Sequence, residues 1–243
     1  MKIVILFKNK YQSKKRLEPR DIRNYIGSIT ENNPELNKFV MWHERSLSPI
    51  IYSMPNPTSA AIFLFDKTSK KSEVFAEEIK KAILANSTLY VNDEIIEIAD
   101  VRILEHHYTD FNKGYYEREL KTPMIIAVSK SEYARARKLS VDKDNIDYNK
   151  LEELVIEKIT ESIMTQTATW QGKENDISGE LIVKFRDLKY TPIKYKEGIY
   201  FPAVRGAIIS NMKLPQFLGY KIGLGYGELL TIKEMKRREN RNR

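Results

Sequence analysis

Apolar positions along the chain change their period from segment to segment. Lys2 to Lys8 encloses a continuous apolar, β-branched run, which predicts a buried strand. Pro19 suits the first turn of a helix running to about Ile29. Asn33-Pro34 marks a new start, and Glu35 to Trp42 fits a second, short helix. Ile50 to Ser53 and Ala60 to Phe65 read as strands separated by the turn formers Pro55, Asn56 and Pro57. Ser72 is placed to cap a helix on which Phe75, Ile79, Ala82 and Ile83 share one face. Strand-like stretches follow from Leu89 to Leu104.

The order strand, helix, strand, strand, helix, strand is the ferredoxin-like arrangement. A second copy begins near Pro123, with a strand at Met124 to Val128 and a polar connection from Ser140 to Asn149. Leu151, Val155, Ile159 and Ile163 then define a clean helical face. Gly179 to Leu188 alternates as a strand, Ile199 to Ile209 holds another, and Glu228 to Ile232 is the expected last strand. Where this copy needs its second helix stands a glycine-rich stretch, Asn211 to Gly227. The expected fold class is α+β, with two tandem ferredoxin-like (βαββαβ) domains at residues 1–120 and 121–243.

Composition narrows what such a fold does. The 243 residues are 42% hydrophobic, enough for a sizeable core, and 30% charged, with a formal net charge of +8. That surplus attracts polyanions, whether nucleic acid or an anionic membrane. Half of it lies in the last eleven residues, Lys233 to Arg243, so the placement of cations on the body matters more. No cysteine is present, which excludes disulfides, thiolate metal sites and cysteine nucleophiles. Three histidines make a zinc site unexpected. No apolar stretch approaches membrane-spanning length, and the opening MKIVILFKNK is too short for a signal segment. A cytoplasmic protein with no membrane partner and no cofactor is expected.

Four of the ten glycines, Gly219, Gly223, Gly225 and Gly227, fall within nine positions. Glycine lets a backbone approach a ligand closely, and successive exposed N–H groups bind phosphate oxygens. Lys213 and Lys221 sit beside or within the segment, and Tyr220 and Tyr226 offer stacking surfaces. No Gly-Lys-Ser/Thr follows, so this is not a Walker A loop, and a strand rather than a helix comes next. The competing explanation is a tight turn with a β-bulge. Lys184 and Arg186 alternate with Val183 and Phe185 and so project from one strand face, with Lys189, Lys194 and Lys196 close behind. Arg205, before Gly206, joins this candidate RNA contact. Arg135, Arg137 and Lys138 form a short basic cluster that reads first as a solvated face. Tyr115-Tyr116 reads first as loop and core. His106 and His107 are adjacent and would point to opposite faces of a strand.

The stretch Leu214-Pro-Gln-Phe-Leu-Gly-Tyr-Lys-Ile-Gly-Leu-Gly-Tyr-Gly-Glu228 resembles the C-terminal glycine-rich motif of the CRISPR repeat-processing endoribonucleases. These belong to the repeat-associated superfamily of tandem ferredoxin-like proteins. A second, distant stretch, Asn33-Pro-Glu-Leu followed by Trp42-His-Glu-Arg-Ser-Leu-Ser-Pro-Ile-Ile-Tyr-Ser53, resembles the histidine-containing segment of the same family. The resemblance implies metal-independent cleavage of precursor CRISPR RNA within each repeat. The ribose 2′-OH attacks the adjacent phosphate and leaves a 2′,3′-cyclic phosphate and a 5′-OH. It places His43 as general acid or base, a role that suits an imidazole with an unperturbed pKa near 6.5. Tyr25 on the first helix and Arg45 are the expected partners. The lysine that family members carry shortly after the histidine is not found until Lys67, and arginine stabilises a phosphorane-like state without donating a proton well. That departure admits a second reading, a CRISPR RNA-binding protein of the same superfamily that does not cut. The expected partners are the repeat RNA, with a homodimer or an effector complex as further assemblies.

Overall fold

The structure, a computed structural model, describes residues 1–12, 15–42, 47–65, 70–91, 94–106, 112–142, 145–172, 180–231 and 234–235. The chain divides into two compact units. The first is Met1–His107 with Thr169–Gly172 and Gly223–Gly225; the second is Tyr108–Ala168, Lys173–Ile222 and Tyr226–Arg243.

The first unit runs β1 (Lys2–Phe7), α1 (Pro19–Ile29), α2 (Pro34–Val40), β2 (Ile50–Tyr52), β3 (Ser59–Leu64), α3 (Lys70–Ala85), β4 (Thr88–Val91) and β5 (Glu94–Leu104). Its antiparallel sheet has the order β2-β3-β1-β5-β4. Without β4, this is the ferredoxin-like order, and β4 adds an edge through its hairpin with β5. Local chemistry sets the helix starts. Pro19 needs no hydrogen-bond partner at the first turn of α1, where Glu18 and Asp21 cap each other reciprocally. Asn33 Oδ1 accepts from the Leu36 amide at 3.1 Å to begin α2. Alternation on β1 sends Ile3, Ile5 and Phe7 to a core shared with Ile22 and Ile26 of α1 and with Ile79 and Ile83 of α3. The cap expected at Ser72 is not one: α3 already begins at Lys70, and Ser72 is buried within its first turn. On β3, Phe63 is buried as well. Just past that strand, Trp170 stacks on Phe65 with ring centroids 3.9 Å apart and planes 8° from parallel.

The second unit contains β6 (Lys113–Glu119), β7 (Met124–Ile125), α4 (Lys130–Arg137), β8 (Ser140–Asp142), β9 (Asn145–Ile146) and α5 (Tyr148–Gln171, of which Thr169–Gln171 count with the first unit). Then come β10 (Val183–Tyr190), β11 (Ile193–Lys196), β12 (Ile199–Phe201) and β13 (Ala203–Met212). The sheet order is β10-β13-β6, with β7 pairing the first residues of β13. Leu151, Val155, Ile159 and Ile163 of α5 close one core with Val183, Ile208 and Met212. The α+β class and the ferredoxin-like order are those expected, including the glycine-rich stretch in place of a helix. Past the end of β13 at Met212, the chain up to Gly227 forms only isolated bridges at Phe217 and Tyr220 and a single 3-10 turn, Ile222–Leu224.

Three details differ. The strand expected at Glu228 to Ile232 reduces to isolated bridges, Phe217↔Glu228 and Leu120↔Leu229. Its residues bond to two separate stretches instead of one ladder: Leu229 N–H donates to Gln216 O at 2.8 Å, and Leu230 N–H to Glu119 O at 2.8 Å. Ile232 lies outside the described residues. Lys113–Glu119, polar in sequence, is strand β6 because it borders β13, so it stands in the second sheet although it precedes residue 120. The polar connection holds the β8–β9 hairpin, and α4, also unforeseen, precedes it. No helix among the described residues is long and apolar enough to cross a membrane.

Candidate functional site

Cations gather on one face of the second sheet. Register places Lys184 opposite Ile209 and Arg186 opposite Ala207, and these lie opposite Glu117 and Glu119 of β6. Cross-strand partners share a face, so lysine and arginine share theirs with two carboxylates. Arg186 Nη2 pairs with Glu117 Oε1 at 2.6 Å. Beyond Arg186 the register slips at a bulge, built from Asp187 at φ 54° and Gly206 at φ 141°. The slip brings Lys189 directly opposite Arg205, both exposed. Like charges directly opposite destabilise a sheet, a cost that an anion between them removes. Lys194 is exposed on the β11–β12 hairpin, and Lys213 is exposed just past β13. Tyr133 of α4 donates from its hydroxyl to Tyr200 O at 2.7 Å, beside a groove of about 550 Å³ lined by Val128, Lys130, Tyr133 and Ala134. Of the sequence's other candidates here, Tyr115 is exposed on β6, and Arg135 makes a two-point pair with Glu157 at 2.9 and 2.6 Å. The Arg137 side chain lies outside the described residues.

The glycine-rich segment uses its glycines largely against the protein itself. At Gly227, φ is 69°, and an added Cβ would lie 1.8 Å from Leu218 O. Its N–H donates to Pro123 O at 2.9 Å, and its carbonyl accepts from Leu218 N–H at 3.0 Å. At Gly225, φ is 76° and an added Cβ would lie 2.5 Å from Tyr52 O and 3.0 Å from Pro19 Cγ. The Gly219 N–H donates to Ser162 Oγ at 3.0 Å. Gly223 has an ordinary φ and approaches Ser48. What the segment exposes is Lys221.

Behind the segment lies a cluster that sequence reasoning missed. Lys158 of α5 is 4% exposed, yet its ammonium reaches Glu132 Oε1 at 3.1 Å, Glu161 Oε2 at 2.7 Å and the Tyr220 hydroxyl at 3.3 Å. Tyr220 in turn donates to Glu132. Glu132 also accepts from the Val128 and Ser129 amides at the start of α4. Burial alone would raise the Glu132 carboxyl, but hydrogen bonds from Tyr220, the two amides and Lys158 outweigh it and hold the pKa at about 2. Burial would lower Lys158, but hydrogen bonds to Glu161, Glu132 and Tyr220 raise it instead. Burial and the bond to Glu132 push Tyr220 up to about 12. The only sequence signal was the helical spacing of Lys158, Ser162 and Gln166 beside the apolar face.

The catalytic candidates fare differently. His43 and Arg45 lie outside the described residues, as does His107. The chain leading to position 43 is held: Arg23 of α1 donates to Met41 O at 2.9 Å and Trp42 O at 3.2 Å, and the Tyr52 hydroxyl donates to Val40 O at 3.0 Å. Tyr25 is on α1 as expected, but it is buried, and its hydroxyl donates to Asn86 O at 2.5 Å. Burial raises its pKa. The Tyr25 hydroxyl thus braces α1 against the turn after α3. His106 sits edge-on between Phe63 and Phe65, with ring centroids 4.8 and 5.8 Å away.

No protein-family model matches the sequence, and no curated protein matches it significantly. Solved structures do match the fold over nearly the whole chain. The crystal structure of Cas6b aligns with a TM-score of 0.65 at 16% identity, covering 96% of this chain and 100% of that one. A RAMP protein binding different RNA substrates aligns at 0.62 and 10% identity, covering 95% and 100%. A Cas6 product complex aligns at 0.60 and 14% identity, covering 94% and 98%. The chain therefore has the fold of the family that its glycine-rich and histidine-containing segments resemble.

Proposed function

We propose that this protein is a metal-independent endoribonuclease that cuts precursor CRISPR RNA within its repeats. The observation that carries the reading is the end-to-end match to Cas6 structures, one of them a product complex. The Lys189–Arg205 juxtaposition, a like-charge pair that favours an anion, supports it. In the proposed reaction the ribose 2′-OH attacks the adjacent phosphorus, the P–O5′ bond breaks, and the products carry a 2′,3′-cyclic phosphate and a 5′-OH. His43 moves a proton, either from the 2′-OH or to the leaving 5′-oxygen. Arg45 supplies positive charge near the phosphate. Lys184, Arg186, Arg205, Lys213 and Lys221 hold the RNA backbone, and the turn built by Gly219, Gly223, Gly225 and Gly227 shapes the chain around Lys221.

A second reading, an RNA-binding protein of the same fold that does not cut, is favoured by one observation. The Tyr25 hydroxyl, expected beside the histidine, is engaged by Asn86. The deciding experiment incubates the protein with its cognate repeat RNA in EDTA, beside His43→Ala. Cutting by the wild type and none by the variant supports the nuclease. Tight binding without product supports the second reading, and equal cutting by His43→Ala removes His43 from the mechanism. Absence of binding overturns both.

A further inference from the structure

One face of α5 carries three polar residues at successive turns, and each meets a different residue of the glycine-rich segment. Gln166 Nε2 donates to Phe217 O at 2.9 Å. Ser162 Oγ accepts from the Gly219 amide at 3.0 Å and also from Gln166 at 2.8 Å. Lys158 meets the Tyr220 hydroxyl at 3.3 Å, with its ammonium 5.4 Å from the Tyr220 ring centre. The opposite side of the same stretch is tied to β7, since Tyr220 N–H donates to Ile125 O at 3.1 Å. Residues 217–220 are therefore fastened on two sides. The next residue, Lys221, is exposed and holds a φ of 57°, a conformation that non-glycine residues seldom adopt without support. Buried polar groups in such a stripe are strongly directional, because each one left without its partner is costly.

We infer that Lys158, Ser162 and Gln166 of α5, together with Glu132 of α4, are positioning residues that hold Tyr220 and so aim Lys221 at an RNA phosphate. This inference rests on the proposed RNA-binding reading and assigns that site its internal support. None of the four contacts RNA; they act through Tyr220 and Lys221.

Ser162→Ala removes the acceptor of the Gly219 amide, and Tyr220→Phe removes the hydroxyl that meets Lys158 and Glu132; both keep helix propensity and ring packing and are expected to fold. Two readouts are taken beside circular dichroism. The first needs no RNA: trypsin cleavage at the Lys221–Ile222 bond, followed by mass spectrometry, is expected to speed up about tenfold in either variant as the segment opens locally. The second is the salt dependence of repeat-RNA affinity. Losing one phosphate contact lowers the slope by about 0.7 for a single strand, or about fourfold in affinity at 0.15 M salt. Lys221→Ala is expected to give the same loss. Tyr220→Phe combined with Lys221→Ala is expected to give no further loss, because both remove one contact. For a cutting enzyme the loss falls on KM with kcat unchanged. Unchanged trypsin cleavage in the variants overturns the fastening, whatever the RNA result. Faster cleavage with an unchanged salt slope, or additive losses in the combined variant, overturns the positioning role. A wild type that binds no repeat RNA refutes the proposed function and the aiming of Lys221, while the trypsin readout still decides the fastening.

Discussion

Replacing Gly227 by alanine is expected to cost this protein about 4–7 kcal/mol, a large share of a typical domain's total stability of about 5–15 kcal/mol. Three contributions lead there. A φ of 69° is left-handed, and a side chain there costs about 1–2 kcal/mol. The new Cβ would lie 1.8 Å from Leu218 O, far inside van der Waals contact, and Leu218 is fully buried. Relieving that overlap displaces packed side chains, at about 1–3 kcal/mol. It also pulls apart the Leu218–Gly227 and Gly227–Pro123 backbone bonds, each worth about 1 kcal/mol net. Gly223 is the control. It has an ordinary φ, and its nearest neighbour, Ser48 Cβ at 3.1 Å, belongs to a side chain, so alanine there should cost below about 1 kcal/mol. Urea denaturation followed by far-ultraviolet circular dichroism compares the two. If Gly227→Ala stays within about 1 kcal/mol of wild type, or Gly223→Ala is equally damaging, the reasoning fails. Because Gly227 acts through the fold, RNA affinity of Gly227→Ala should fall in step with its folded fraction.

The remaining expectations concern charge and packing. Glu132 is held at about 2, below its ordinary 4.5, so its stabilisation is fully present above pH 4.5 and is lost as the pH falls toward 2. Allowing for solvent at the half-exposed Glu161 side, that loss is about 1–2 kcal/mol. Urea midpoints at pH 6, 4 and 3 should show Glu132→Gln with a shallower acid decline than wild type, and equal declines would remove Glu132 as the cause. Lys184→Ala and Arg186→Ala should each lower the salt slope of RNA binding by about 0.7, read by filter binding over 50–200 mM salt, and an unchanged slope takes that residue out of the interface. Trp170→Ala should cost about 3–5 kcal/mol through its lost stack on Phe65, and Trp170→Phe should restore much of it.

Strong periodicity was legible in the sequence. The run at Lys2–Phe7 and the face Leu151, Val155, Ile159 and Ile163 report burial directly, and both elements form as expected. β6 was not legible, because Lys-Gly-Tyr-Tyr-Glu-Arg-Glu has no apolar alternation and becomes a strand only by pairing with β13. The last strand was over-read: an apolar end at Leu229-Leu230 signals burial, but not a shared ladder. Among site residues, the alternation of Lys184 and Arg186 gave their common face, whereas the bulge that sets Lys189 against Arg205 depends on Asp187 adopting a rare φ. Lys158 was hidden for a different reason. A lysine on a helix reads as solvated, and its burial follows from Glu132 and Tyr220, residues that lie 26 and 62 positions away.

The spacing of Lys158, Ser162 and Gln166 also turns α5 into a gauge with a fixed scale. Each residue advances a helix by about 100° and 1.5 Å. A single residue inserted between Ile159 and Glu161 would swing Ser162 and Gln166 a quarter turn or more away from Gly219 and Phe217, while Lys158 stayed engaged. Length is therefore frozen along that part of the chain, even though exposed positions such as Glu153 and Met164 tolerate exchange. The tip of the β11–β12 hairpin is its opposite: Gly198 has nothing within 4 Å of its added Cβ, so residues can be gained or lost there without disturbing any such register.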